Sequence, residues 1–173
     1  MDPRTDTQLV HACRQGDRHA FAALVHRYTK RVFAVCYAIL QNTQDAEDAV
    51  QDVFFRCLTQ IGSIRQGERL AAWIVQIARN RCRDRLREQT RRKALLEERA
   101  GQIARTPDFT RLHDALNSLS EADRLPLMLF YFNGRSAGSV AESLNLSPAG
   151  ACTRLSRARR KLRVLLEEGG GLS

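Results

Sequence analysis

Apolar positions recur along this chain with the spacing of an amphipathic helix, and no alternating run bounded by turn residues interrupts them. The chain is therefore expected to be all-α. Thr5 or Asp6 caps a first short helix, and Asp17 caps a second whose Phe21, Leu24, Val25, Tyr28, Val32, Val35 and Ile39 keep one face. "QNT" then breaks the ladder. Thr43 caps the next helix, with Ala46, Val50, Val53, Phe54 and Leu58 expected inward, and Gly62 and Gly67 supply loop conformations in "IGSIRQGER". A long helix starts near Arg69 and points Leu70, Trp73, Ile74, Ile77 and Leu86 inward. Residues 79 to 93, "RNRCRDRLREQTRRK", carry eight cations against two acids.

The ladder lapses over "ALLEERAGQIARTPDF", where Gly101 and Pro107 mark a linker. Two small helical domains joined by that linker are the expected architecture: residues 1–93, a linker at 94–109, a second domain at 110–168, and a disordered tail at 169–173. Leu112, Ala115, Leu116 and Leu119 open the second domain, and Ser120 caps a helix carrying Leu125, Leu127, Met128 and Phe130. "SAGSVAESL" at 136–144 forms a short helix with Val140 and Leu144 inward; Asn145 suits the left-handed turn position. Ser147 caps the last helix and Pro148 sits in its first turn. The pair is a helix-turn-helix.

Charge sharpens this picture. A net charge of +9 on 173 residues, from 25 Arg and only 3 Lys, favours an acidic partner, and guanidinium forks suit nucleic acid better than generic solubility. A membrane surface is the main rival for that balance. No run of 18 apolar residues occurs and "MDPRTDTQLV" lacks a secretory pattern, so a cytoplasmic, non-inserted protein is expected. Five widely spaced cysteines without a CxxC argue against a zinc knuckle or disulfide framework, and Cys36 and Cys57 read as small core residues. No metal or cofactor is expected.

The last helix concentrates the basic charge. Ala151, Leu155, Ala158, Leu162 and Leu165 follow i, i+4, i+7, i+11, i+14, which leaves Arg154, Arg157 and Lys161 on another face. Cations beside a major groove gain from counterion release, while base reading falls to residues near the helix N-terminus. A solvated charged face that touches nothing is the alternative.

In company, these segments become specific. "LSRARRKLRVLLEE" after the helix-turn-helix, preceded by "ALNSLSEADRLPLMLFYFNGRS", resembles the promoter-binding C-terminal domain of bacterial RNA polymerase sigma factors. "RQGDRHAFAALVHRYTKRVFAVCYAIL", "DAEDAVQDVFFRCL" and "RLAAWIVQIARNRCRDRLR" resemble the N-terminal half of the extracytoplasmic function (ECF) subclass, and together the match spans about residues 5 to 166. The resemblance implies a factor that binds core RNA polymerase and directs promoter-specific initiation without chemistry of its own. It implies polymerase docking through Asp45, Glu47, Asp48, Gln51, Asp52 and Phe55, an acidic stretch with no cation between Arg31 and Arg56. A helix N-terminus favoured by the macrodipole is the bland reading of Asp45 and Glu47.

The same resemblance assigns −10 element melting to Arg65, Arg69, Trp73, Gln76, Arg79, Asn80 and Arg83, because cationic grooves and hydrogen bonds hold single strands. Trp73 also lies on the apolar ladder, and its helical spacing favours core over a stacking platform. For the −35 element it implies Ser147, Pro148, Ala149, Thr153, Arg154, Arg157 and Lys161, and for regulation an anti-sigma partner. The sequence departs from the family at Gly150, Ala151 and Cys152, where a Thr, a bulky aliphatic and a Lys are commoner; Gly138 sits inside a helix, and Leu70 replaces an aromatic.

Rival functions remain. An autonomous helix-turn-helix regulator would bind duplex without polymerase, but it leaves the acidic helix unexplained and shows no dimer seam. A nuclease using His11, His19 and His26 lacks a ligand cluster. A redox role for Cys152 rests on its place near a helix start among cations.

Overall fold

The computed structural model describes residues 2–64, 69–96 and 110–168, with the side chains of 92–96 and 110 left aside. Among the described residues there is no strand. The helices are α1 (Asp6–Arg14), α2 (Arg18–Leu40), α3 (Thr43–Gln60), α4 (Leu70–Leu96), α5 (Thr110–Ser118), α6 (Glu121–Phe132), α7 (Ala137–Leu144) and α8 (Pro148–Glu168), with a 3-10 turn at Ile61–Ser63. The all-α expectation is met.

Local chemistry sets the helix ends. Thr5 caps α1 in a reciprocal box with Gln8, and Asp17 accepts from the N–H groups of His19 and Ala20 at the start of α2. One cap lies a residue earlier than expected. Asn42, not Thr43, caps α3 by accepting from Asp45 N–H at 2.9 Å, since Gln41 turns left-handed to end α2 and leaves Asn42 extended. Ser120 caps α6, Ser136 caps α7, and Asn145 closes α7 at φ 52° as its position demanded. Ser147 Oγ then accepts from Gly150 N–H at 3.1 Å at the head of α8.

Helix α2 is the axis of the molecule. Its residues Ala34, Val35 and Cys36 are buried in succession, which no helix with a single apolar face can achieve. One side packs on α3 and α4, whose Ala46, Val53, Cys57, Ile74 and Cys82 share its core. The other side packs on α6 of the second domain. Burial of Cys36 and Cys57 matches their reading as core, and desolvation pushes the Cys57 thiol up to about 12. Two positions expected inward are not. Leu58 is 51% exposed and Leu86 36% exposed. Helix α4 runs through Leu96, and residues 97–109 of the expected linker lie outside the described residues.

Arg124 fixes the seam between the domains. Its buried guanidinium donates to Ala38 O at the end of α2 at 2.5 Å, and to Leu116, Asn117 and Leu119 carbonyls at the end of α5 at 2.9–3.1 Å. Helix C-termini carry unpaired carbonyls and partial negative charge, so one cation satisfies two of them. Phe33 packs on Phe132 with centroids 5.7 Å apart, and Tyr37 shares a hydrogen bond with His113 at 3.2 Å. Arg31 pairs with Glu142 at 3.1 Å and donates to Ser139 Oγ at 3.0 Å.

Candidate polymerase and DNA interfaces

Helix α3 presents two different faces. Ala46, Ala49, Val53 and Cys57 point inward. Glu47, Gln51, Phe55 and Leu58, spaced i, i+4, i+8 and i+11, form an exposed row. Phe55 is 69% exposed. Phe55 and Leu58 thus stand one turn apart on the solvent side of α3.

The carboxylates of α3 lie beside this row and already have partners. Arg85 on α4 binds Asp45 at 2.7 Å and Asp48 at 3.1 Å, and Arg81 binds Asp52 at 2.8 Å. Burial works against the Arg85 charge, but hydrogen bonds to Asp48 and Asp45 outweigh it and hold its proton more tightly than usual. The cation-free stretch of sequence is thus supplied with cations from 29 to 40 residues away. What it offers a partner is an apolar and amide surface fringed by acids, with Glu47 free of any ion pair among the described residues.

On α4, the spacing of Arg69, Trp73, Gln76, Asn80 and Arg83 places them on one face. Arg69, Gln76 and Asn80 are exposed, and Gln76 donates to Asn80 at 2.8 Å. Trp73 is half-buried against the core, so it is both a core residue and part of that face. Arg79 and Arg83 reach the C-terminal domain, where both bind Glu121 at 3.0 Å. Arg65 lies outside the described residues.

Helix α8 exposes Ser147, Pro148, Ala149, Thr153 and Arg154 at its N-terminal end. Thr153 Oγ1 donates to Ala149 O at 2.9 Å. Gly150 departs from the family pattern, and a Cβ there would stand 3.1 Å from Ser147 Oγ, inside the capping turn. Arg157 and Lys161, half-exposed on α8, each pair with an acid of α6. They converge on Asp123 of α6, 2% exposed, at 3.0 and 2.5 Å. The bond from Lys161, with those from Ser120 and Arg157, holds the Asp123 carboxyl below its ordinary value despite burial. Arg159 lies over the Phe130 ring at 4.4 Å. Arg154, Arg160 and Arg163 are left without an ion pair among the described residues.

The long-range contacts of Glu121, Asp123 and Arg124 have no signal in the sequence. In sequence, "SEAD" reads only as a capped, acid-rich helix start, and its long-range partners carry no local signal.

Among the described residues no group of three or more His, Cys, Asp or Glu side chains could hold a metal, and no helix is long and apolar enough to cross a membrane. His11, His19 and His26 form no site. Cys152 is exposed at the start of α8 with no thiol partner.

The Sigma-70 region 2 family matches residues 24–92, and the Sigma-70 region 4 family matches residues 109–162. The chain is 31% identical to the RNA polymerase sigma factor CarQ of Myxococcus xanthus, over 90% of this chain and 94% of CarQ. It is 29% identical to the ECF RNA polymerase sigma factor SigW of Bacillus subtilis, over 90% of this chain and 93% of SigW. The solved structure of CnrH in complex with the cytosolic domain of CnrY superposes with a TM-score of 0.67 at 28% identity, covering 94% of this chain and 97% of that one. Together, the helix-turn-helix, the outward row on α3 and these matches across both domains place the chain in the extracytoplasmic function family of RNA polymerase sigma factors.

Proposed function

We propose that this chain binds core RNA polymerase through the outward row of α3 and directs it to promoters read by α4 and α8. The observation that carries the proposal is the adjacency of two unlike surfaces. Glu47, Gln51, Phe55 and Leu58 form a solvent-facing patch, while Arg69, Trp73, Gln76 and Asn80 form a second one on the neighbouring helix. A basic polymerase surface bearing an apolar pocket suits the first, with Asp45, Asp48 and Asp52 as its fringe. Single-stranded promoter DNA suits the second, through cationic and hydrogen-bonding groups and a partly exposed indole.

The C-terminal helix-turn-helix binds duplex at the −35 element. Ser147, Pro148, Ala149 and Thr153 stand at the end of α8 that enters the groove, and Arg154 neutralises phosphate. Arg157 and Lys161 shape that domain more than they touch DNA, since Asp123 occupies both. The chain contributes no bond-making chemistry, and RNA synthesis belongs to the polymerase. We place it in the cytoplasm, where the polymerase works, under control of an anti-sigma protein that binds it as CnrY binds CnrH. An autonomous regulator would have no use for the α3 row.

Competition for core polymerase tests the docking surface. Phe55→Asp should weaken binding at least tenfold in the folded protein, because a charge at the centre of an apolar contact must be desolvated. Unchanged binding removes the α3 row from the interface.

A further inference from the structure

Between α6 and α7 two consecutive residues turn left-handed, Gly134 at φ 78° and Arg135 at φ 55°. Glycine enters that region freely, whereas the Cβ of a longer residue crowds the carbonyl that follows it. The turn has no need of an arginine. Its closing bond, from Arg135 N–H to Phe130 O at 2.8 Å, uses only backbone and would form with asparagine or glycine in place of Arg135. A long side chain kept where the backbone disfavours it points to a use for that side chain.

The guanidinium of Arg135 lies 5.9 Å from the centroid of the exposed Tyr131 ring. Phe130 meets Tyr131 edge-on at 5.5 Å and carries Arg159 of α8 over its own ring at 4.4 Å. Two cations therefore stand over adjoining rings. The acids of α6 and α7 pair elsewhere, Glu121 with Arg79 and Arg83, Asp123 with Arg157 and Lys161, and Glu142 with Arg31. Neither Arg135 nor Arg159 has an ion pair among the described residues. An aromatic ring occupies the flat face of a guanidinium and leaves its N–H edge open, which is the edge that fits a phosphate.

Place in the fold selects the anion. Arg135 directly precedes Ser136, the cap of α7, and α7 is the first helix of the helix-turn-helix, the one that crosses the sugar-phosphate backbone while the second lies in the major groove. We propose that Arg135 binds a backbone phosphate of the promoter duplex beside the groove entered by α8, with Arg159 adding positive charge next to it. The contact carries no base information and fixes the register of α8 on the duplex. The proposal rests on the reading of α8 as the −35 helix.

The test uses the full chain with core polymerase and a labelled duplex carrying the upstream element of the wild-type run-off products. Arg135→Asn removes the cation and suits the left-handed turn, Arg135→Lys keeps the charge, and Lys30→Gln is an equal charge change on the first domain. Anisotropy across a salt series gives affinity and salt slope, and thermal unfolding reports on the fold. Arg135→Asn should bind about fivefold more weakly with a salt slope lower by about 1, yet melt no lower than wild type. Arg135→Lys should keep the slope, and Lys30→Gln should match wild type. Unchanged affinity in Arg135→Asn, an equal loss in Lys30→Gln, or a loss that comes with a lower melting temperature overturns the assignment. Weaker binding of core polymerase with duplex affinity intact would make the arginine a protein contact and overturns it as well. Product from wild type with unchanged duplex affinity in Arg135→Asn sinks the phosphate contact alone; no product from wild type sinks the sigma-factor reading and the contact with it.

Discussion

Helices α4 and α8 look alike on paper, each a run of arginines over an apolar ladder, yet they use their charge in opposite directions. In α8, Arg157 and Lys161 fold back on buried Asp123 within their own domain, which leaves Arg154, Arg160 and Arg163 facing solvent. In α4, Arg81 and Arg85 neutralise α3, and Arg79 and Arg83 cross to the other domain. The lesson is that a count of cations overstates the charge available to DNA. In both helices the acids that claim the cations are remote in sequence.

The comparison breaks most severely at the seam. Arg124→Met should cost about 3 kcal/mol in chemical denaturation, because it strands carbonyls at the ends of α2 and α5 that lose their donor. A loss below about 1 kcal/mol would mean that water replaces the guanidinium without penalty. Asp123→Asn should cost about 2 kcal/mol, since a buried carboxylate bonded to two cations and Ser120 loses its charge.

That substitution also flattens the pH dependence. The folded-state pKa of Asp123 is depressed, so its contribution is fully present above the ordinary value of 3.8 and is lost as pH falls below it toward the folded value. Acid titration of stability should therefore show a smaller decline below about pH 4 in Asp123→Asn than in wild type. Parallel curves would show that Asp123 is not linked to folding.

The smallest effects separate the cations of α8. Arg154→Ala should lower affinity for −35 duplex roughly threefold and reduce the salt slope by about 1, whereas Arg157→Ala should leave that slope nearly intact and lower stability instead. Equal salt slopes for the two variants would mean that Asp123 does not reserve Arg157.

Much of this was legible from local chemistry. Asp17, Ser120 and Asn145 act where their side chains and backbone preferences put them, and the inward set of α2 follows its period. Errors fell where tertiary geometry decides. Leu58 and Leu86 keep the apolar spacing of their helices, yet both stand in solvent at 51% and 36% exposure. The acids of α3 stand in a cation-free stretch of sequence because their cations arrive from α4, and Trp73 packs on the core while keeping its place on the outward face of α4. No local pattern announces Glu121. Its meaning exists only once α6 is folded against α4.

Run-off transcription by core polymerase on sheared genomic DNA, with and without this protein, tests the central claim most directly. The account predicts discrete products that start downstream of a shared pair of sequence elements and vanish with Phe55→Asp. Products no different from core enzyme alone, from a protein that nonetheless binds duplex by itself, would contradict it.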